Sequence, residues 1–293
     1  MSERSWLFIP GDSERKLAKA ESCAADVVIL DLEDSVTPEQ KAAARGRIRH
    51  YLAAHAAHRA TQLWVRINPL GTAAAAADLA AVIAGRPDGI VQPKTRSSAD
   101  VIRLGQDLDQ LERLHGLAPG SIRILPIATE TPAALFAMGG FGQCGVRLAG
   151  LTWGAEDLSA AIGASANQET NGAWTAPYQL ARSLCLFGAA AAGVTAIDTL
   201  HIDYRDAAGL RASCAVARRD GFTGKLAIHP DQVAVINECF VPSAAERAHA
   251  QRVIALFAAN PGAAALSLDG RMVDLPHLRQ AEKTLARSAG LQS

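Results

Sequence analysis

Two acidic residues, Glu130 and Asp157, each follow a short apolar run, in ILPIATE and LTWGAED. Other ionisable side chains stand in equivalent places. Asp31, Glu33 and Asp34 follow VVIL, Arg66 and Asn68 follow LWV, and Lys94 follows IVQP. Glu156 precedes Asp157, while Asp198, His201, Asp203 and His229 close the later runs. Isolated charges next to a core are costly, so such a gathering needs partners or a metal. Carboxylates without a Cys or His cluster suit a hard, oxygen-seeking cation. Magnesium fits, because it takes one or two protein carboxylates, keeps waters and completes its shell with substrate oxygens. Arg66 offers a planar fork for a substrate carboxylate. Together they point to a small keto or hydroxy acid held in two places.

Each residue also has a plainer reading. Acidic residues after strands cap helices, and Asp157 would serve as the N-cap of LSAAIG. Arg66 would make a structural ion pair. Lys94 invites a Schiff-base role, which a metal constellation makes unnecessary. His229 with Pro230 shapes a turn, and His201 reads as a core histidine.

The elements that position these groups come from counting. Short β-rich apolar runs occur at Trp6–Pro10, Val27–Leu32, Leu63–Ile67, Gly89–Gln92, Ile122–Ala128, Leu148–Trp153, Ala196–Ile202 and Lys225–His229. Several are continuously apolar, as in strands of a parallel sheet buried on both faces. Helical stretches alternate with them. Thr37 is an expected N-cap with Pro38 and Gln40 behind it, and Thr131 with Pro132 repeats the pattern. Further helices are expected over Ser97–Arg113, Thr175–Ala192, Asp203–Gly221 and Asp231–Cys239, with another at the alanine run 73–77. Strand then helix, eight times, predicts an α/β fold of the (β/α)₈ TIM-barrel type. A doubly wound sheet is the rival, but PGDSERK lacks the GxGxxG turn that usually follows its first strand. The barrel is expected to occupy residues 1–240. Residues 241–293 read as a C-terminal hairpin-helix extension: a capping box at Ser243 and Glu246 opening a helix to about Ala259, a tight turn at Asp269-Gly270, and a helix from Leu275. We read it as a lid or intersubunit element.

The chain has 293 residues, of which 49% are hydrophobic, enough for a sizeable core. With 29 acidic and 29 basic residues there is no footprint of a nucleic-acid binder. No basic run marks a membrane surface, and no stretch has the ~20 apolar residues of a span. The opening MSERSWLF does not resemble a signal peptide. The five cysteines are odd in number and form no CxxC pair, which disfavours zinc sites and disulfide frameworks. A reducing cytoplasmic location is the expectation.

Taken in order, RSWLFIPGDSERKLAKA, VVILDLEDSV, VRIN, PK, ATETP, LTWGAEDLSAAIG, DGFTGKLAIHP and GRMVDLP resemble the citrate lyase beta-subunit-like family, which includes malyl-CoA and citramalyl-CoA lyases. The resemblance covers essentially the whole chain. It implies a magnesium-dependent barrel lyase that cleaves a 3-hydroxyacyl thioester by a retro-Claisen reaction, giving an acetyl thioester and a 2-oxo acid. It implies that Glu130 and Asp157 are the metal ligands and that Arg66 binds the substrate acid. Phe8, Arg15, Lys19, Lys41, Arg45, Ile228 and His229 are implied in coenzyme A binding. Asp274, in MVDLP, is implied as the acid/base, reaching the site of a neighbouring subunit in a homotrimer.

The chain departs from the family at three places. Arg15 stands where lysine is common, Phe8 where some relatives have tyrosine, and Thr95-Arg96-Ser97 where many carry an acidic residue before the serine. Two other readings stand beside the lyase: a metal aldolase of free 2-oxo-3-deoxy acids, and a subunit that binds a thioester without turning it over, such as part of a citryl-carrier-protein lyase.

Overall fold

In the computed structural model, residues 3–20, 23–56 and 61–288 are described. The chain runs β1 (Ser5–Pro10), α1 (Glu14–Ala20), β2 (Val27–Asp31), α2 (Lys41–Ala54), β3 (Gln62–Arg66), α3 (Ala73–Val82), β4 (Gly89–Gln92) and α4 (Ser98–Leu114). It continues β5 (Arg123–Pro126), α5 (Pro132–Phe136), β6 (Gly150–Thr152), α6 (Glu156–Ile162), α7 (Ala176–Ala192), β7 (Thr195–Asp198), α8 (Ala207–Asp220), β8 (Gly224–Ala227) and α9 (Asp231–Cys239). Then come α10 (Ala244–Ala259), β9 (Ala265–Leu268), β10 (Arg271–Asp274) and α11 (Leu275–Ser288).

β1 to β8 form one sheet in the order β5-β4-β3-β2-β1-β8-β7-β6, with every ladder parallel. The two ends meet through the parallel bridges Ile124↔Leu148 and Ile127↔Thr152. The Ala149 and Ala128 amides donate to the Ile124 and Thr152 carbonyls, at 2.9 and 2.8 Å. The sheet is thus a TIM barrel, as the alternation of strands and helices predicts.

Trp6, Val27, Ile29, Trp64, Val91, Leu125, Ile127, Ile197 and Leu226 pack together as a buried core. Trp6 and Trp64 meet edge-to-face at 5.0 Å. Gly89 is required beside them, since a Cβ there would lie 2.4 Å from the Trp64 ring. Near the start of β5, Arg147 binds the buried Glu112 carboxylate through Nη1 at 2.9 Å and Nη2 at 2.5 Å. The Gly120 and Ile122 amides donate to the same carboxylate at 2.8 and 2.9 Å. This cluster ties α4 to the chain entering β5.

Several boundaries differ from expectation. α8 begins after Asp206, whose carboxylate accepts from Gly209 N at 2.8 Å, and not at Asp203, which closes a turn with Arg205 N. Thr37 makes no side-chain cap; a short 3₁₀ turn, Pro38–Gln40, precedes α2. β7 ends at Asp198, whose side chain enters a buried ion cluster, and the run on to Ile202 lies outside the ladder.

The chain divides into two compact units, Glu3–Asn237 and Glu238–Ser293. In the second, Ser243 and Glu246 form the reciprocal capping box of α10. Asp269 and Gly270 adopt positive φ, 52° and 74°, in the turn joining β9 to β10, as a two-residue hairpin demands. Ala250, Val253, Phe257, Val273 and Ala281 are its buried core. No helix among the described residues is long and apolar enough to cross a membrane. All five cysteines are free thiols.

Candidate active site

The C-terminal ends of barrel strands carry the side chains that no ladder needs, and there the ionisable residues meet. A cavity of about 400 Å³ opens at this rim. Its walls include Phe8, Asp31, Asp34, Arg66, Glu130, Trp153, Asp157, Trp174 and Ile228. Glu130, just beyond β5, is buried, while Asp157, in the first turn of α6, is half-buried. The loops that carry them are bonded together: Thr129 Oγ1 and the main chain of Gly154 exchange bonds of 3.1 and 3.2 Å. Gly154 lacks a Cβ for a reason, since one would sit 3.2 Å from Glu130 Cγ.

Lys94 joins the two carboxylates. Its Nζ lies 2.5 Å from Asp157 Oδ2, 3.8 Å from Glu130 Oε1, 3.3 Å from Glu33 Oε1 and 3.5 Å from Asp34 Oδ2. Its main-chain N–H donates to Glu130 Oε2. That donation uses a left-handed backbone, φ 51°, uncommon for a residue with a side chain. Burial opposes the Lys94 charge, but Glu130, Asp157 and Glu33 hold its pKa above the ordinary lysine value. Those carboxylates favour the ammonium form of Lys94, whereas a Schiff-base lysine needs its neutral amine.

Burial pushes Glu130 up to about 8, against the pull of Lys94, and pushes Glu33 up to about 7, against Arg66 and Lys94. Burial also acts on Asp157, but hydrogen bonds from Lys94 and Glu130 outweigh it and hold that carboxyl below its ordinary value. Among the described residues no three His, Cys, Asp or Glu side chains are arranged to hold a metal ion. What the rim offers is two oxygen donors, Glu130 and Asp157, already facing one cationic group, with open cavity beside them. That donor set fits magnesium, which keeps waters and substrate oxygens in its remaining positions.

Arg66 forks onto Asp31, with Nε to Oδ1 at 2.7 Å and Nη2 to Oδ2 at 2.6 Å. Its Nη1 lies 2.9 Å from Glu33 Oε2, and the guanidinium covers the Phe8 ring at 4.8 Å. The ion-pair reading of Arg66 is therefore realised, and the residue is also a wall of the cavity. Asp31 is held below its usual range: burial acts against its charge, but Arg66 prevails.

Of the residues implied in coenzyme A binding, Phe8 and Ile228 reach the cavity wall. Arg15 and Lys19 are exposed on α1. Lys41 Nζ donates to the Leu32 and Glu33 carbonyls at 2.8 and 3.0 Å, and Arg45 Nε to the buried Asp78 at 2.6 Å. His229 stacks on Tyr204 at 4.5 Å, and its amide donates to Gln232 Oε1 at 3.2 Å. Asp274, in the second unit, sits at the start of α11 and contacts His277 Nδ1 at 2.6 Å through Oδ1.

Behind the rim Asp198 is buried, accepting from Trp153 Nε1 at 2.8 Å, Arg182 Nε at 3.1 Å and Lys225 Nζ at 2.9 Å. It thereby fixes Trp153, which meets Trp174 edge-to-face at 5.0 Å on the cavity wall. Sequence reasoning passed over Trp174 because it lies in the long connection between α6 and α7, outside any strand. A lone aromatic there was the available signal.

The HpcH/HpaI aldolase/citrate lyase family model matches residues 4–230, and a model for C-C bond lyases of the TIM-barrel fold matches residues 181–290. A citrate lyase subunit beta-like protein of Mycobacterium tuberculosis is 37% identical over 285 residues, covering 97% of this chain and 95% of that protein. A (3S)-malyl-CoA thioesterase of Cereibacter sphaeroides is 35% identical over 294 residues, covering 98% and 95%. The crystal structure of the CitE protein of M. tuberculosis in complex with magnesium, acetoacetate and coenzyme A superposes with a TM-score of 0.80 at 36% identity, covering 98% of each chain. By these matches the chain is a carbon–carbon lyase, and it belongs to the HpcH/HpaI aldolase/citrate lyase family.

Proposed function

We propose that this protein cleaves the C2–C3 bond of a 3-hydroxyacyl-CoA of the citramalyl-CoA or malyl-CoA type, in a magnesium-dependent retro-Claisen reaction giving acetyl-CoA and a 2-oxo acid. The observation that carries this reading is the convergence of Glu130 and Asp157 on one cationic group at the mouth of a largely apolar cavity. The magnesium, acetoacetate and coenzyme A bound by the mycobacterial neighbour support it.

Glu130 and Asp157 would hold the metal. Bound there, the ion supplies a Lewis acid and template for the oxygens of the 2-oxo acid. Arg66 Nη1 would contact the substrate carboxylate, with Asp31 fixing the guanidinium plane from behind. Phe8, Trp153 and Trp174 would exclude water from the reacting carbons. Arg15, Lys19, Lys41 and Arg45 would serve the phosphates of coenzyme A, which requires Lys41 and Arg45 to leave their present partners. Ile228 and His229 would border the thioester arm.

Cleavage needs a base for the 3-hydroxyl proton and an acid for the enolate carbon. Asp274 of a neighbouring copy would fill both roles, with residues 241–293 acting as the lid of a homotrimer. The His277 hydrogen bond holds the Asp274 carboxyl below its usual range, so it begins as a base at neutral pH.

The test is a panel of 3-hydroxyacyl-CoA thioesters with magnesium or EDTA, with products read by mass spectrometry. Acetyl-CoA with pyruvate or glyoxylate is expected, lost with EDTA and in Asp157→Asn. Free coenzyme A with the intact hydroxy acid would instead favour thioester hydrolysis, the activity named for the C. sphaeroides relatives. Turnover of a citryl thioester only on a carrier protein would favour a citrate lyase subunit. Cleavage of free 2-oxo-3-deoxy acids with no coenzyme A requirement would favour the aldolase.

A further inference from the structure

Lys94 touches both Glu130 and Asp157 through separate groups. The main-chain N–H holds Glu130, while the side chain reaches past it to Asp157. These contacts are mechanically independent. The N–H is fixed by the left-handed backbone at φ 51°, whereas the ammonium is carried on a four-carbon stem with its own rotatable bonds. A second pair of carboxylates lies within reach, Glu33 at 3.3 Å and Asp34 at 3.5 Å from Nζ. Glu33 Oε2 is paired with Arg66 Nη1 at 2.9 Å, which leaves Oε1 as the oxygen that faces Lys94.

A cation chelated by Glu130 and Asp157 must occupy the space on which both carboxylates converge. Lys94 Nζ stands there, 2.5 Å from one and 3.8 Å from the other. Two cations will not share that space. We infer that Lys94 is an internal placeholder for the metal: its ammonium fills the site before metal binds, then withdraws onto Glu33 and Asp34, which act as its parking position. This rests on the reading of Glu130 and Asp157 as metal ligands, and deepens it. The exchange conserves the pairing of charge. The metal neutralises Glu130 and Asp157, and the displaced ammonium neutralises the rim of β2. The main-chain bond from Lys94 to Glu130 persists and keeps the first ligand aimed. A placeholder that leaves the site open about one-tenth of the time lowers the apparent metal affinity about tenfold.

The experiment is direct binding of Mg²⁺ and of Mn²⁺ alone to the full chain, by calorimetry and by Mn²⁺ electron paramagnetic resonance, without substrate. Wild type, Lys94→Met, Glu33→Gln and the double variant are compared. Lys94→Met should bind metal about tenfold tighter, having no ammonium to displace. Glu33→Gln should weaken binding about tenfold when Lys94 is present, and much less in the Lys94→Met background, because only then is a parking position needed. Lys94→Gln, with a similar length and no charge, should behave as Lys94→Met and guards against a folding defect in either variant. Additive effects of Lys94 and Glu33, or weaker binding in both Lys94 variants, would overturn the placeholder while leaving the metal site standing. Absence of metal binding in all five proteins would overturn the metal-dependent reading together with it. Binding detected only in the variants lacking Lys94 would support the placeholder in its strongest form.

Discussion

Asp198→Ala is the substitution that tests how the barrel holds the rim in place. It removes the acceptor of three side chains at once: Trp153 Nε1, Arg182 Nε and Lys225 Nζ. Arg182 keeps a second carboxylate, Asp220, at 2.7 Å from Nη1. Lys225 is only 1% exposed, and Asp198 is the carboxylate it pairs with. Leaving one member of a buried pair uncompensated costs roughly 3–5 kcal/mol, and the lost indole bond adds about 1 kcal/mol. A total near 4–6 kcal/mol is a large fraction of the ~5–15 kcal/mol that holds a typical domain. Urea unfolding followed by circular dichroism and tryptophan fluorescence measures it. Adding Lys225→Met removes the stranded ammonium, so the double variant should recover at least about 2 kcal/mol relative to the sum of the single effects. A loss below about 1 kcal/mol for Asp198→Ala, or strict additivity with Lys225→Met, would refute the reasoning. The same substitution frees Trp153, whose neighbour Gly154 is bonded to Thr129 beside Glu130. Metal affinity should therefore fall under conditions where the variant remains folded.

Three further outcomes are expected. Burial acts against the Glu112 charge, but Arg147 and the Ile122 and Gly120 amides pull the carboxyl down to about 2. A value below the unfolded one means that the stabilisation is complete above the ordinary carboxylate range and is lost as pH falls through about 2; Glu112→Gln should flatten that acid limb in urea midpoints measured against pH. Gly154→Ala places a Cβ 3.2 Å from Glu130 Cγ, so the glutamate must give way; about a fivefold loss of magnesium affinity with little change in Tm is expected by calorimetry. Magnesium at a hundred times its Kd should stabilise the fold by about 2.7 kcal/mol, reversed by EDTA, as scanning calorimetry would show.

The amino-acid order carries the frame. Eight apolar runs separated by capped helices admit few arrangements other than a closed parallel barrel, because strands buried on both faces must be covered by the helices that connect them. It also placed Glu130, Asp157, Arg66 and Lys94 at the rim, since charged residues directly after buried strands have nowhere else to stand. Ser243 with Glu246, and Asp269 with Gly270, fixed a capping box and a hairpin by contacts within a few residues. Partner choice was decided only by the tertiary structure. Arg66 pairs with Asp31, and Lys94 with Asp157, across long stretches of chain. Lys41 and Arg45 turn to a carbonyl pair and to Asp78, although the resemblance implies that they serve coenzyme A. Trp174 reaches the cavity from a connection with no periodicity to read. Local pattern reports which face of an element is buried, but an ion pair depends on which strand ends become neighbours when the sheet closes, and that is a property of the closed barrel.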